Sequence, residues 1–195
     1  MKNSTTNSSI NKVFGIGLSK TGTTSLSVAL TLLGIRTIDF PHDSETQNYL
    51  MQGKYNLPIL DHYQAMTDTP AAGFYPHFDR LYPSSKFILT IRPDKEDWLQ
   101  SVRKHWHRAA LYIPYLQFIG ASIYGCYAFS PERFAYVYDR HVQHVCEYFR
   151  ERPQDLLVLN ICGGEGWEKL CPFLDCEVPS VPFPWENAAP VSVLS

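Results

Sequence analysis

No run of like charge marks this 195-residue chain. Lys and Arg number 17 against 19 Asp and Glu, a net charge of −2. No long-range field therefore draws it to nucleic acid or to an anionic membrane, and any anion it binds must be met by local cations. Metal-ligand spacing is missing as well. The five cysteines, Cys126, Cys146, Cys162, Cys171 and Cys176, form no CxxC pair and have no His at ligand spacing. Such a set reads as reduced, mostly buried thiols. The first residues, MKNSTTNSSIN, lack the apolar run of a signal peptide. They read as a disordered leader over 1–11, and a cytoplasmic location is the expectation. Internal repeats and linkers are absent too, which leaves 12–195 as one domain. At 45% hydrophobic and 18% charged, the chain is globular in composition and long enough to bury a real core.

What is present is concentrated in Val13 to Leu33, VFGIGLSKTGTTSLSVALTLL. A short apolar run leads into a turn rich in Gly, Ser and Thr, and then into a helical pattern. Gly15, Gly17 and Gly22 permit close backbone approach, and Thr21 to Thr24 fall at the helix N-terminus. Unpaired N–H groups and the positive end of the helix dipole there make an anion site. Leu26, Ala29, Leu30 and Leu33 share one helical face, and Gly34 is the expected stop. The nucleotide-hydrolase loop requires Gly, four residues, then Gly-Lys-Ser/Thr. From Gly17 the spacing reaches Gly22, but Thr23 stands where the lysine belongs, and the loop's lysine is Lys20.

Further along, strand and helix patterns alternate. Ile35 to Phe40 is a strand candidate and residues from Ser44 to Gly53 a short helix. Tyr63 to Asp68 is a weak strand, followed by an amphipathic helix from Ala71 to Tyr82 that stops at Pro83. Lys86 to Ile91 reads as a central strand and ends at Arg92-Pro93. The acidic start Asp94, Glu96, Asp97 opens a helix with Trp98, Val102 and Trp106 on its apolar face. Ser130-Pro131 starts another helix, Asp155 to Ile161 is a further buried strand, and a short helix runs from about Glu165 to Leu174. The proline-rich stretch Val178 to Trp185 is expected to pack as an extended cover. The alternation predicts an α/β fold, a three-layer doubly wound parallel sheet of the P-loop nucleotide-binding kind. Ligands of such sheets bind at the strands' C-terminal ends, where Lys20, Asp39, Asp68 and Arg92 sit.

Ala109 to Phe129 holds 21 residues without a charge, long enough for a membrane span. Pro114, Gly120 and Gly125 interrupt it, and its tyrosines are spread along its length instead of gathered at its ends. A buried or lid-like aromatic segment is the preferred reading. An acceptor-site wall, a homodimer contact and a membrane-surface patch are the alternatives.

Lys-Thr-Gly-Thr-Thr is similar to the 5′-phosphosulfate loop of sulfotransferases that use 3′-phosphoadenosine 5′-phosphosulfate (PAPS). Ile91-Arg92-Pro93 through Ser101-Val102 resembles their second motif, an Arg and a Ser that hold the 3′-phosphate. With Thr-Asp-x-Pro-Ala and the later Gly-Trp-Glu-Lys-Leu-Cys-Pro-Phe-Leu, the pattern looks like the compact sulfotransferase-like family over about Val13 to Glu186. The resemblance implies transfer of a sulfuryl group from PAPS, with no metal, to a hydroxyl or amine of a small, apolar or lipid-like acceptor. It places Lys20, Thr21, Gly22, Thr23, Thr24, Ser25, Arg92 and Ser101 at the donor and gives Lys20 the leaving oxygen to stabilise. Asp68 stands where cytosolic members carry a catalytic His, so it is the candidate base, with Asp39 and His42 as runners-up. The glycine- and lysine-rich C-terminal loop of the cytosolic members is missing; only Gly163, Gly164 and Gly166 lie there. Two other readings stay open: a kinase or nucleotide hydrolase with a degenerate loop, and a non-catalytic nucleotide-binding or scaffold domain. His62, His77, His105, His107, His141 and His144 are expected to be structural or surface residues.

Overall fold

The first strand sets the architecture through its two-residue period. In β1 (Val13–Gly15), Val13 points into one apolar cluster and Phe14 into another on the opposite face of the sheet. The same split recurs at Ala65 and Met66 in β3 (Ala65–Thr67), and at Ile88 and Phe87 in β4 (Lys86–Thr90). With β2 (Thr37–Asp39) and β5 (Leu156–Leu159) these strands form one sheet in the order β2-β3-β1-β4-β5. Every pairing is parallel. This is a computed structural model, and it describes residues 12–106 and 113–186. The expected leader, His107 and the first residues of the uncharged segment lie outside them.

Helices cover both faces. The helix α1 (Thr23–Leu32) and the last helix, α7 (Trp167–Leu174), pack on the side of Val13 and Ile88. On the other side lie α2 (Ser44–Met51), α3 (Ala71–Leu81), α5 (Pro114–Tyr124) and α6 (Pro131–Tyr148), with α4 (Lys95–Trp106) joining α5 and α6 in a third apolar cluster. The expected three-layer doubly wound α/β sheet is therefore the observed fold. Local signals placed most boundaries. Leu33 and Gly34 end α1, with the Gly34 and Ile35 amides returning to the Thr31 and Leu30 carbonyls. Ser130 caps α6, its hydroxyl accepting from the Arg133 amide.

Two expectations need correction. The strand β5 is not buried on both sides: it is the sheet edge, and Val158 is 36% exposed. Its apolar run does not report its place, because which strand ends a sheet is decided by the connections. The cysteines are not mostly buried either. Cys146, Cys162 and Cys176 are exposed, Cys126 is half-buried, and Cys171 alone is buried. The proline-rich stretch does pack as a cover: Trp167 Nε1 donates to the Val181 carbonyl, and Phe183 lies edge-on to the Trp167 ring.

The uncharged aromatic segment contributes α5, a helix that Pro114 starts and Gly125 ends. Among the described residues no helix is long and apolar enough to cross a membrane. Tyr115 Oη donates to the Pro41 carbonyl, Trp106 Nε1 to the Tyr127 carbonyl, and Arg133 Nε to the Tyr124 carbonyl. The first and third of these tie α5 to the chain just after β2 and to α6, and the second ties α4 to the chain just after α5.

Candidate active site

The strand order turns about β1, so the loop that follows it emerges between the ends of β3 and β4, the place where such sheets bind ligands. That loop is held from several sides. A Cβ at Gly17 would lie 1.9 Å from Thr90 Oγ1 and 2.6 Å from the Thr90 carbonyl oxygen, so glycine is required for the loop to pass β4. Thr21 is fully buried and turns inward: its hydroxyl donates to the Leu18 carbonyl and shares a 2.6 Å hydrogen bond with Thr90 Oγ1. Trp98 Nε1 reaches over from α4 to the Ser19 carbonyl at 3.0 Å. His141 Nε2 lies 2.7 Å from the Ile16 carbonyl, and burial pushes that imidazole below its usual pKa, which keeps it neutral with its N–H on the carbonyl. One of the histidines expected to be structural thus has a partner, at the root of the loop.

Gly22 caps α1 at a φ of 98°, a left-handed conformation suited to glycine. Among the described residues the amides of Gly22, Thr23, Thr24 and Ser25 find no acceptor, so four N–H groups open at the positive end of the helix. Lys20, itself left-handed at φ 72°, makes no hydrogen bond or ion pair with a described residue, and its charge bears on both Asp39 and His105. The Ser25 hydroxyl accepts from the Glu186 amide at 2.9 Å, which ties the extended cover to α1.

Asp68 follows β3 at a φ of 66°. Its Oδ1 accepts from Ser19 Oγ at 2.6 Å and from the Thr69 amide at 2.7 Å, and its Oδ2 accepts from Thr23 Oγ1 at 2.8 Å. One carboxylate thus holds one hydroxyl of the loop after β1 and one at the start of α1. Asp39, at the end of β2, accepts from Thr67 Oγ1 at 2.7 Å. Burial raises its pKa above the usual carboxylate value, against the lowering effect of the Thr67 and Thr24 hydroxyls and of Lys20. His42 is exposed, with its Nδ1 3.1 Å from the Phe40 carbonyl oxygen.

Beyond β4, the Arg92 backbone is gripped at both groups by one phenol: its amide donates to Tyr138 Oη at 2.8 Å, and Tyr138 Oη donates to its carbonyl at 2.7 Å. The Arg92 guanidinium and the Ser101 hydroxyl make no hydrogen bond to a described residue. A fork of cationic donors at the end of β4 and a hydroxyl on the helix that follows are thus left without a described partner. Beside the loop lies a cavity of about 60 Å³. Ser19, Thr69 and His105 form its polar side, and Phe40, Leu116 and Ile119 much of the apolar remainder, with Trp106 and Tyr124 closing it.

A family model described as a sulfotransferase domain matches residues 12–191. The chain belongs to the sulfotransferase family. It is also similar to "Ava biosynthesis cluster protein M" of Aspergillus versicolor, 29% identical over 213 residues, covering 89% of this chain and 79% of that one. As a sulfotransferase-family domain it is a transferase by family, in line with the first of the three readings.

In this sulfotransferase-family chain Lys20, Asp39 and Asp68 share one end of the sheet, with Thr23 and Thr24 between the two carboxylates. Of the cavity's lining, Ser19 went unnamed in the sequence reasoning, His105 was expected to be a structural or surface residue, and Tyr124 lies in the segment for which an acceptor-site wall was only an alternative. For His105 a signal existed, since it stands four residues after Ser101, on the same face of α4. For Tyr124 there was none, because nothing local distinguishes it from the other tyrosines of the segment.

Proposed function

We propose that this protein transfers the sulfuryl group of PAPS to a hydroxyl or amine of a small apolar acceptor. The observation that carries the reading is the set of uncommitted groups along the loop and β4: four amides at the α1 N-terminus, Lys20, the Arg92 guanidinium and the Ser101 hydroxyl. In this reading Lys20 and the amides of 22–25 meet the 5′-phosphosulfate, and Arg92 with Ser101 meets the 3′-phosphate. Thr21 and Ser25, whose hydroxyls face protein groups, act by shaping the loop.

Catalysis is then mostly positioning and electrostatics. The acceptor oxygen bonds to sulfur as the bond from sulfur to the 5′-phosphate oxygen breaks, and Lys20 offsets the charge that develops on that oxygen. The acceptor's proton passes to Ser19 Oγ as Ser19 gives its own to Asp68, to which it already donates at 2.6 Å. Asp68 is the base through this relay, while its Oδ2 keeps Thr23 in place.

Thermal melting with adenosine 3′,5′-bisphosphate tests the donor half. Millimolar ligand is expected to raise Tm, and Lys20→Ala or Arg92→Ala to abolish the rise; an unmoved parent Tm would sink the proposal. Radiolabelled donor incubated with a metabolite extract tests turnover, with labelled product expected from the parent and not from Asp68→Ala.

A further inference from the structure

We infer that Trp185, on the extended cover, stacks on the base of the donor nucleotide and so sets how tightly the donor is held. The inference rests on the sulfuryl-transfer reading above, which assigns both phosphate positions of the donor and leaves its base without a partner.

The first observation is where the cover is fixed. Trp167 donates from Nε1 to the Val181 carbonyl and meets the Phe183 ring at 4.8 Å. Gly166 makes room for that ring, since a Cβ there would lie 2.8 Å from Phe183 Cγ. Beyond it, the Glu186 amide donates to the Ser25 hydroxyl in the first turn of α1. Trp185 therefore stands one residue from a tie to the helix end whose amides meet the 5′-phosphosulfate in this reading.

The second is Trp185 itself. Trp98, Trp106 and Trp167 each give their Nε1 hydrogen to a carbonyl. Trp185 is 51% exposed and makes no hydrogen bond or ring contact with a described residue. An indole offers a large flat face, and one whose chain is held on both sides has little freedom left to lose when a ring settles on it.

The ribose supplies the direction. Its C5′ leads to the loop after β1 and its C3′ to Arg92 and Ser101, so the base on C1′ leaves by a different side. Residues 161–163, just after β5, border both phosphate positions: Ile161 Cβ lies 3.1 Å from where a Gly22 Cβ would be, and the charge of Cys162 bears on Tyr138, which holds Arg92. Gly22 and Ser25 are three residues apart, on one face of the first turn of α1, so the cover reaches the helix on the face that Ile161 abuts. Ile161, Trp167 and Phe183 share one apolar cluster, which joins the two walls. A base lying over 161–163 thus comes to the stretch of cover that carries Trp185.

The probes are 2′-deoxyadenosine 3′,5′-bisphosphate and its abasic counterpart, in which hydrogen replaces adenine. Each is titrated by calorimetry into the parent, Trp185→Ala and Trp185→Phe. The parent is expected to prefer the base-bearing ligand, and Trp185→Ala to bind that ligand about tenfold more weakly while binding the abasic one as the parent does. Trp185→Phe should keep most of the preference, because its ring still stacks. The base-bearing ligand should also quench indole emission in the parent and not in Trp185→Phe. A parent that binds the two ligands alike, a Trp185→Ala variant that keeps the preference, or one that loses affinity equally for both would each overturn the assignment of Trp185. A parent that binds neither ligand defeats the donor reading beneath it.

Discussion

Removing one oxygen atom isolates the device that aims Arg92. Tyr138→Phe keeps the ring, which lies 4.6 Å from Trp98, and deletes both hydrogen bonds to the Arg92 backbone, 2.8 Å to its amide and 2.7 Å from its Oη to the carbonyl. Each neutral hydrogen bond is worth roughly 0.5–1.5 kcal/mol net, so the pair amounts to about 1–3 kcal/mol. Arg92 is only half-buried and water can reach part of what is exposed, which favours the lower half of that range. For a chain of this size, about 1–2 kcal/mol corresponds to roughly 2–8 °C in Tm. The larger consequence concerns the guanidinium, because a strand end freed at both backbone groups no longer presents it in one direction. Calorimetric titration with adenosine 3′,5′-bisphosphate should show several-fold weaker binding in Tyr138→Phe. Melting of the unliganded proteins supplies the stability change. A variant that melts lower but binds the bisphosphate as the parent does would refute the claim that Tyr138 aims Arg92. Unchanged melting and binding together would refute the hydrogen bonds themselves.

Two further outcomes follow from the same site. Gly17→Ala places a methyl 1.9 Å from Thr90 Oγ1 and should cost about 3 kcal/mol or more by forcing the loop off β4, seen as a lower denaturant midpoint and lost bisphosphate binding. Asp39→Asn should be more stable than the parent at neutral pH: burial raises the carboxyl's pKa in the folded state, so the stability that goes with its protonated form is lost as pH rises through that raised value. The gap should narrow as pH falls through the raised value toward the ordinary Asp value of about 4 and close only below it, where the group is protonated folded and unfolded alike. Melting curves from pH 4 to 8 check this, and a gap that does not change with pH would contradict it.

Much of the fold was legible because its signals are local. Gly17, Lys20, Gly22 and the hydroxyls of 21–25 lie within a few residues of one another, so the loop and the helix it opens could be read directly from the chain. The apolar run at Lys86 to Thr90 and the Ser130-Pro131 start carried their elements in the same way. The alternation of strand and helix then constrained the topology to a parallel, doubly wound sheet. The edge position of β5 escaped that reasoning, since Leu156 to Leu159 is as apolar as an interior strand and only the connections place it outermost.

The sequence by itself therefore determined the strand, the glycine-rich loop, the helix behind it and the family, because backbone freedom at glycine and helix-end chemistry are properties of short stretches. Tertiary structure alone decided what each polar side chain does. Asp68 meets Ser19 and Thr23 across separations of 49 and 45 residues, and Tyr138 grips Arg92 across 46. Tyr124 is left without a described partner by the packing of α5 against Trp106 and Phe134. Such roles depend on which side chains the packed layers bring within about 3 Å, and a hydrogen bond exists only at that range.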